Sequence, residues 1–478
     1  MSILGSRKRR AFLVALVILI GIGAFWRLRR PRRPPPTPVA AVDPEPVLVR
    51  HTPVGRTTVE GAAILGINEG ISLPERSIAR FTGGEDGTLK RRVALLRATG
   101  ARMVRANSHA WPHLNFHQWK GDWTEADRFM GVVGAAGLDV VLVIGPWPGT
   151  RTSLYTNAYV PADLPAYQAW VEQVVERYDG DGLDDMPGLA RPVLGWEVDN
   201  EPDQHNQVAP RGAGAGQEAD GTPARVGGEA TGRFETPAEY AQVLIVTSQA
   251  IRRADPEARV LSGGLYRSAL PAGRAYLAEV LAVPGARDAI DVLSLHCYFS
   301  ADNLDPVQRS MRMARALAPG VPVWITETSV PSAGVQGWVD EEWQAQRVAG
   351  IIGGFLAEGA DRIFWHTLVD APNEREGPTG FATNSLFRGV VDGTGVNFEP
   401  KPSGDVFRRI AGHLRGQDPE SFVEVAAEGG RLLETDAGWL AFDGAPAVPD
   451  GSGAVEDLRT GEVDVGVERA PAPAWIAR

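Results

Sequence analysis

The chain has 478 residues, of which 44% are hydrophobic and 22% are charged, an ordinary balance for a packed globular protein. Its formal net charge is −11, although the first 33 residues contain nine basic and no acidic side chains, so the remainder carries about −20. A body this acidic argues against a nucleic-acid-binding role, because phosphate contacts require a basic face. The single cysteine, Cys297, excludes an internal disulfide.

The N-terminus has the pattern of a membrane anchor. A basic tail, residues 1–10, precedes an uncharged apolar run, residues 11–26. This run falls slightly short of the ~20 residues that cross a bilayer, but an Arg- and Pro-rich segment, and not a convincing small-residue cleavage site, follows it directly. We expect an uncleaved signal anchor of a single-pass inner-membrane protein, with the folded domain outside the cytoplasm; cleavage and secretion is the alternative. Residues 27–53 are rich in Arg and Pro and predict an extended linker.

Short apolar segments alternate with amphipathic helical patterns between residues 54 and 414. This alternation favours a parallel α/β fold. Eight such units predict a (β/α)8 TIM barrel, with a doubly wound open sheet as the alternative. The predicted strands cover residues 62–68, 101–107, 138–147, 193–202, 258–265, 290–298, 321–328 and 361–368.

Two further segments stand apart from this alternation. Residues 204–233, after the fourth strand, are rich in Gly and Ala and too long for an ordinary connection. They are interpreted either as a lid over the site or as an insertion without function. Residues 415–478 alternate apolar and polar side chains around turn signals, which predicts a small β-rich module.

Carboxylates end two of the predicted strands. The fourth strand ends in Asp199, Asn200 and Glu201, and Glu327 lies at the end of the seventh. In a TIM barrel, catalytic groups occupy the C-terminal ends of the strands. Glycoside hydrolysis needs two carboxyl groups that flank the scissile bond, so Glu201 and Glu327 are candidates for that pair.

The segments around these residues resemble those of a known clan. WEVDNEPD, which contains Glu201, resembles the strand-four signature of the (β/α)8 retaining glycosidases, where Asn-Glu-Pro supplies the acid/base. WITETS, which contains Glu327, resembles the clan's strand-seven nucleophile segment, and LHCY places His296 and Tyr298 in its His-x-Tyr motif. Within the clan the chain is most similar to glycoside hydrolase families 39 and 5.

The resemblance implies a retaining glycoside hydrolase that needs no cofactor and acts on a poly- or oligosaccharide, for which an exopolysaccharide is one candidate. It implies Glu327 as nucleophile and Glu201 as general acid/base. Tyr298 and Arg105 would favour the ionised form of Glu327, and Asn200 would bind the sugar 2-hydroxyl. A catalytically inactive polysaccharide-binding barrel and a transglycosylase that uses the same two glutamates remain as alternatives, and the oligomeric state stays open.

Several other residues at strand ends are candidates for substrate binding, and each has a structural alternative. Arg105 could be a structural ion-pair partner and His296 a core histidine. Trp365 could stack on a sugar or only pack the barrel, and Trp147 and Asn68 could line the pocket. Glu197 and Asp199 share the period-two phase of Glu201, and we assign them structural hydrogen bonds.

Three histidines follow the second predicted strand. His109, His113 and His117 are spaced four residues apart, as in a helical metal site. Pro112 lies among them and favours a loop. We therefore expect a substrate-facing loop with His109 as a binding residue, and no metal.

Overall fold

The computed structural model describes residues 63–68, 85–106, 114, 116, 119, 121–146, 160–161, 163–203, 205–206, 231–232, 236–298, 304–332, 340–370, 383–392 and 395–478. The predicted tail (1–10), anchor (11–26) and linker (27–53) lie outside these residues. Within the described ranges, no helix has the length and apolar character needed to cross a membrane.

Eight parallel strands form the centre of the fold. They are β1 (Leu65–Asn68), β2 (Met103–Ala106), β3 (Asp139–Ile144), β4 (Val193–Asn200), β5 (Val260–Gly264), β6 (Leu293–Tyr298), β7 (Val323–Ser329) and β8 (Arg362–His366). The strands from β1 to β5 pair each with the next, as do those from β6 to β8, and β1 also pairs with β8. Two isolated parallel bridges, Leu261–Val292 and Leu265–Leu295, join the β5 and β6 segments, so that the barrel is nearly closed. The predicted TIM barrel and all eight of its strands are confirmed.

Eight α-helices lie among the described residues. They are α1 (Glu85–Ala98), α2 (Thr124–Ala135), α3 (Leu164–Glu176), α4 (Pro237–Ala254), α5 (Pro271–Ala282), α6 (Asp305–Leu317), α7 (Glu341–Ala357) and α8 (Pro402–His413). Local sequence sets several starts: Thr236 and Glu239 form a capping box on α4, and the Asp340 side chain accepts from Trp343 N at the start of α7. A hairpin of β9 (Phe387–Asp392) and β10 (Gly395–Pro400) separates β8 from α8.

Side-chain alternation divides the barrel into two apolar layers. One set fills the barrel interior: Met103, Val141, Leu261, Val292, Trp324 and Phe364. The alternate residues pack outward against the helices. Arg105 follows Met103, and His366 follows Phe364, by two residues in the same strand. A polar layer therefore lies directly above the apolar interior, toward the C-terminal ends of the strands.

An antiparallel sheet follows the barrel in sequence. Its strands are β11 (Val423–Ala427), β12 (Gly430–Thr435), β13 (Gly438–Gly444), β14 (Val455–Asp457), β15 (Val463–Asp464) and β16 (Ala474–Ala477). It packs on α7, where a Cβ added to Gly353 would lie 2.5 Å from the Cβ of Phe442. The β-rich character predicted for this region is confirmed.

The Gly-rich segment after β4 is described only at its two ends. There, the two-residue strands His205–Asn206 and Thr231–Gly232 pair antiparallel. The role predicted for residues 204–233 stays a prediction.

Candidate active site

Arg105 on β2 is the centre of the polar layer. Its guanidinium is fully buried and donates five hydrogen bonds. Nε and Nη2 donate to the two carboxylate oxygens of Glu197, at 2.6 and 3.0 Å. Nη1 donates to Asn68 Oδ1 at 2.7 Å and to Glu327 Oε1 at 2.9 Å, and Nη2 donates to Asn200 Oδ1 at 2.7 Å. One cation therefore joins the ends of β1, β2, β4 and β7, as a structural ion pair and as a partner of Glu327.

Glu327 on β7 is held from two sides. Its side chain is buried, with Oε1 accepting from Arg105 and Oε2 accepting from the hydroxyl of Tyr298 on β6. Donors on both oxygens stabilise a carboxylate charge. The contacts that the resemblance implied for Arg105 and Tyr298 are both present.

Glu201 lies directly after β4. The imidazole of His296 lies close to the carboxylates of both Glu201 and Glu327. His296 Nδ1 on β6 lies 2.9 Å from Glu201 Oε1 and 3.5 Å from Glu327 Oε2. One carboxylate oxygen of Glu201 lies within 4.8 Å of one carboxylate oxygen of Glu327. Burial lowers the pKa of His296 from 6.5 to about 4, outweighing the attraction of Glu327. The ring is therefore neutral near pH 7 and brings no charge to the pair.

The backbone at the end of β4 departs from a regular strand. Glu197 and Asn200 both bond to Arg105 although they are three residues apart, whereas a regular strand would place them on opposite faces. Asp199 and Glu201 have positive φ values, 69° and 51°, which are uncommon for residues other than glycine. The Glu201 N–H donates to the carbonyl of Gly264 on β5, and this bond helps to fix the conformation.

Glu197 has the structural role that we assigned to it. Besides the ion pair with Arg105, its Oε1 accepts from Gly264 N at 2.9 Å and from the Thr326 hydroxyl at 3.3 Å. Its carboxylate is fully buried and ties β4 to β2, β5 and β7.

On β8 the structure places Trp365 and His366 on opposite sides of the barrel wall. Trp365 is fully buried, packs edge-on to Phe407 of α8 and donates its indole N–H to the Asn384 carbonyl. Its ring has no exposed face on which a sugar could stack, so Trp365 has the packing role that we held as the alternative. His366 is the inward residue, and its Nδ1 lies 2.9 Å from Asn68 Nδ2.

Two residues of the site were missed by the sequence reading. One is His366: side chains alternate along a strand, so His366, two residues after Phe364, faces the barrel interior as Phe364 does.

The other is Asp203. It lies two residues after Glu201, and its carboxylate accepts from the backbone N–H groups of Tyr266 and Arg267, both at 2.8 Å. Burial raises the pKa of Asp203 to about 6. No local sequence signal distinguishes this anchor, because its donors are 63 and 64 residues away.

Two predicted binding residues lie outside the described part of the chain. They are Trp147 and His109; His113 and His117, expected in the same loop as His109, also lie outside it. Their assignment to the pocket stays a prediction.

Glu201, His296 and Glu327 are close enough together to surround a cation. Glu327, however, already accepts from Arg105 and Tyr298. The guanidinium 2.9 Å from one of its oxygens opposes a second positive charge. This arrangement fits a carboxylate used as a charged group in its own right better than a metal ligand.

Comparison with known proteins supports the fold. No protein-family model and no curated protein sequence matches the chain. Its structure is similar to that of a family 39 glycoside hydrolase from Bacteroides cellulosilyticus, with a TM-score of 0.55 and 13% identity over 86% of this chain and 78% of the other. It is also similar to a family 51 α-L-arabinofuranosidase from Bifidobacterium longum, with a TM-score of 0.50 and 14% identity over 88% and 96%. At these identities the likeness establishes a shared fold.

Proposed function

We propose that the chain is a retaining glycoside hydrolase that acts on a poly- or oligosaccharide. The observation that carries this proposal is the separation of Glu201 and Glu327, whose nearest oxygens lie within 4.8 Å. Retaining enzymes hold their two carboxyl groups about 5–5.5 Å apart, whereas inverting enzymes leave about 6.5–9.5 Å for a water molecule. The pair also lies at the C-terminal ends of β4 and β7, where TIM barrels place their chemistry.

In the first step, Glu327 attacks the anomeric carbon while Glu201 donates its proton to the glycosidic oxygen. The bond to the leaving group breaks, and an ester bond to Glu327 forms. Arg105 and Tyr298 hold the attacking carboxylate in place and stabilise its charge before attack. Because Asn200 Oδ1 accepts from Arg105, its amide nitrogen is the atom that would donate to the sugar 2-hydroxyl.

In the second step, water attacks the anomeric carbon, and the ester bond between the sugar and Glu327 breaks. The ester removes the negative charge of Glu327, so Glu201, now deprotonated, can accept a proton from the attacking water. Hydrolysis of the ester returns Glu327 to its carboxylate form and Glu201 to its acid form. The neutral imidazole of His296 beside Glu201 fixes the position of this carboxyl group through both steps.

We test this with a panel of 2-fluoro glycosides that carry good leaving groups, using the full-length chain in detergent. The fluorine slows both steps and the good leaving group restores the first, so the glycosyl-enzyme accumulates. We expect peptide mapping to find the label on Glu327, and expect it to be absent from Glu327→Gln. Glu172→Gln, on the outer surface of α3, is the matched control and should label like the wild type.

A label on another carboxylate would overturn the assignment of the nucleophile. Absence of labelling, together with no hydrolysis of the matching aryl glycosides, would favour a binding-only barrel. Products formed with an added sugar acceptor in place of water would identify a transglycosylase.

We further propose that residues 11–26 anchor the chain in the inner cell membrane, with the barrel outside the cytoplasm. The uncharged apolar run supports the anchor, whereas the basic clusters on both of its sides do not set the orientation. The full-length chain should stay with membranes during alkaline extraction, and a chain starting at residue 47 should not. N-terminal sequencing that finds the first residues removed would show secretion instead.

A further inference from the structure

We infer that His366 is a specificity-determining residue, which presents its Nε2–H as a hydrogen-bond donor to an oxygen of the sugar bound next to the scissile bond. This inference rests on the proposed function. It goes beyond it by naming a polar, directional contact at the end of β8.

The tautomer of His366 follows from a chain of one-way hydrogen bonds. A guanidinium can only donate, so the Asn68 atom that faces Arg105 Nη1 must be the carbonyl oxygen Oδ1. The other end of the amide, Nδ2, can only donate, and it points at His366 Nδ1 at 2.9 Å. His366 Nδ1 must therefore accept, and the ring hydrogen of the neutral imidazole is on Nε2.

The guanidinium of Arg105 cannot rotate in a way that would reverse the directions of these hydrogen bonds. Its Nε and Nη2 are fixed on the two oxygens of Glu197, which orients the plane of the guanidinium. The buried ion pair between β2 and β4 thus determines which nitrogen of a histidine on β8 carries hydrogen. Asn68, fully buried on β1, transmits the constraint.

The position of His366 suits contact with a substrate. Its ring lies 6.0 Å from that of Tyr298 and perpendicular to it, and Tyr298 bonds directly to Glu327. His366 is half-buried, whereas Asn68 and Arg105 beneath it are fully buried, so the ring reaches the open end of the polar layer. In the part of the chain that the structure describes, Asn68 provides the one hydrogen bond to this ring. No described residue accepts from Nε2–H, so this group can donate to a ligand.

The tautomer of His366 can be determined by NMR without measuring enzymatic activity. We would label the eight histidines of the full-length chain with ¹⁵N and assign the His366 signals by their loss in His366→Gln. We expect Nδ1 to have the shift of a bare ring nitrogen and Nε2 that of a protonated one. Asn68→Asp should reverse the pattern, because a carboxylate oxygen can only accept and would draw the hydrogen to Nδ1. A protonated Nδ1 in the wild type would overturn the inference.

The contact itself is tested with two matched substitutions. The side-chain nitrogen of Gln reaches the position of His Nε2, whereas that of Asn reaches only that of Nδ1. With the sugar identified by labelling, we expect His366→Asn to lose about tenfold in kcat/KM, the worth of one neutral hydrogen bond, and His366→Gln to lose much less. A deoxy glycoside that lacks the contacted hydroxyl should be turned over equally by both variants.

Equal losses in the Asn and Gln variants, or a difference that persists with every deoxy glycoside, would show that His366 does not contact the sugar. If the chain hydrolyses no glycoside, the proposed function fails. The ¹⁵N shifts then still decide whether Nε2 is the donor.

Discussion

Arg105 and Glu197 form a two-point ion pair that is completely buried, with Nε–Oε2 and Nη2–Oε1 distances of 2.6 and 3.0 Å. Glu197 takes no part in the proposed chemistry. It fixes the plane of the guanidinium, and the remaining nitrogen, Nη1, is thereby directed at Asn68 and Glu327. A structural carboxylate thus determines where the cation beside the nucleophile lies.

We expect Glu197→Ala to lower the free energy of unfolding by about 3–5 kcal/mol, because it leaves the buried charge of Arg105 short of a partner. Urea denaturation measures this. Glu172→Gln is the control: its partner Arg253 and Glu172 itself are both more than a third exposed, and such pairs contribute about 1 kcal/mol or less. Similar losses in both variants would contradict a special role for the buried pair.

We expect Glu201→Gln to lose about 10²- to 10⁴-fold in kcat/KM on glycosides with poor leaving groups, because protonation of the leaving oxygen is lost. The loss should be far smaller for a dinitrophenyl glycoside of the same sugar, since its leaving group needs no proton. Steady-state kinetics on the two substrates give the comparison. A loss of the same size on both would show that Glu201 is not the general acid.

Gly264 leaves room for His296. A Cβ added at Gly264 would lie 2.0 Å from His296 Nε2, a distance at which something must move. We expect Gly264→Ala to displace the imidazole from Glu201, to lower the free energy of unfolding by about 1–3 kcal/mol and to reduce activity at least tenfold. Thermal unfolding and kinetics together test this.

Gly412 near the end of α8 is the control for that substitution. A Cβ there would meet nothing within 4 Å, and alanine favours helix by about 0.5–1 kcal/mol over glycine. Gly412→Ala should therefore keep full activity and unfold no more easily than the wild type. Normal activity in Gly264→Ala would show that the position of His296 does not matter.

The pH dependence of stability should reveal the buried histidine. The pKa of His296 is about 4 in the folded chain and 6.5 in a solvated one, so between these values the unfolded chain binds the proton first. The contribution of His296 therefore lowers the free energy of unfolding as the pH falls from 6.5 to 4, by about 3 kcal/mol in total. Asp203 acts in the opposite direction, because its pKa of about 6 in the folded chain lies above the ordinary 3.8.

Comparison with His296→Gln separates these two contributions, since Asp203 is common to both chains. Denaturation at pH 7, 5.5 and 4 should show the wild type losing more stability than the variant. Parallel pH profiles would mean that His296 is protonated as easily in the folded chain as in the unfolded one.

The sequence predicted the architecture well for a physical reason. Parallel strands buried on both faces are continuous apolar runs, and amphipathic helices repeat every three to four residues, so both are local signals. The same locality located Glu201 and Glu327, because a polar residue that ends an apolar strand of a barrel lies at its chemical face. Strand ends differed from prediction by a few residues, where pairing with the neighbouring strand decides the boundary.

On β8, residue type and side-chain alternation favour different residues for the sugar contact. Trp365 is a candidate for stacking on the sugar, with packing as its alternative, whereas the strand's alternation turns Trp365 outward and His366 inward. The register was already present in the sequence, since Phe364 and His366 share a phase. Trp365 was selected for its residue type, whereas the alternation along the strand indicates His366.

What the sequence alone determined is the order of strands and helices, the phase of most side chains and the identity of the two glutamates, because these depend on neighbours within a few residues. Only the tertiary structure decided which partner each polar group received. The bonds of Arg105 to the ends of three other strands, the bond from Glu201 N–H to the Gly264 carbonyl and the tautomer of His366 all depend on residues far apart in the chain. Such contacts exist only once the barrel closes and buried polar groups must find partners inside it.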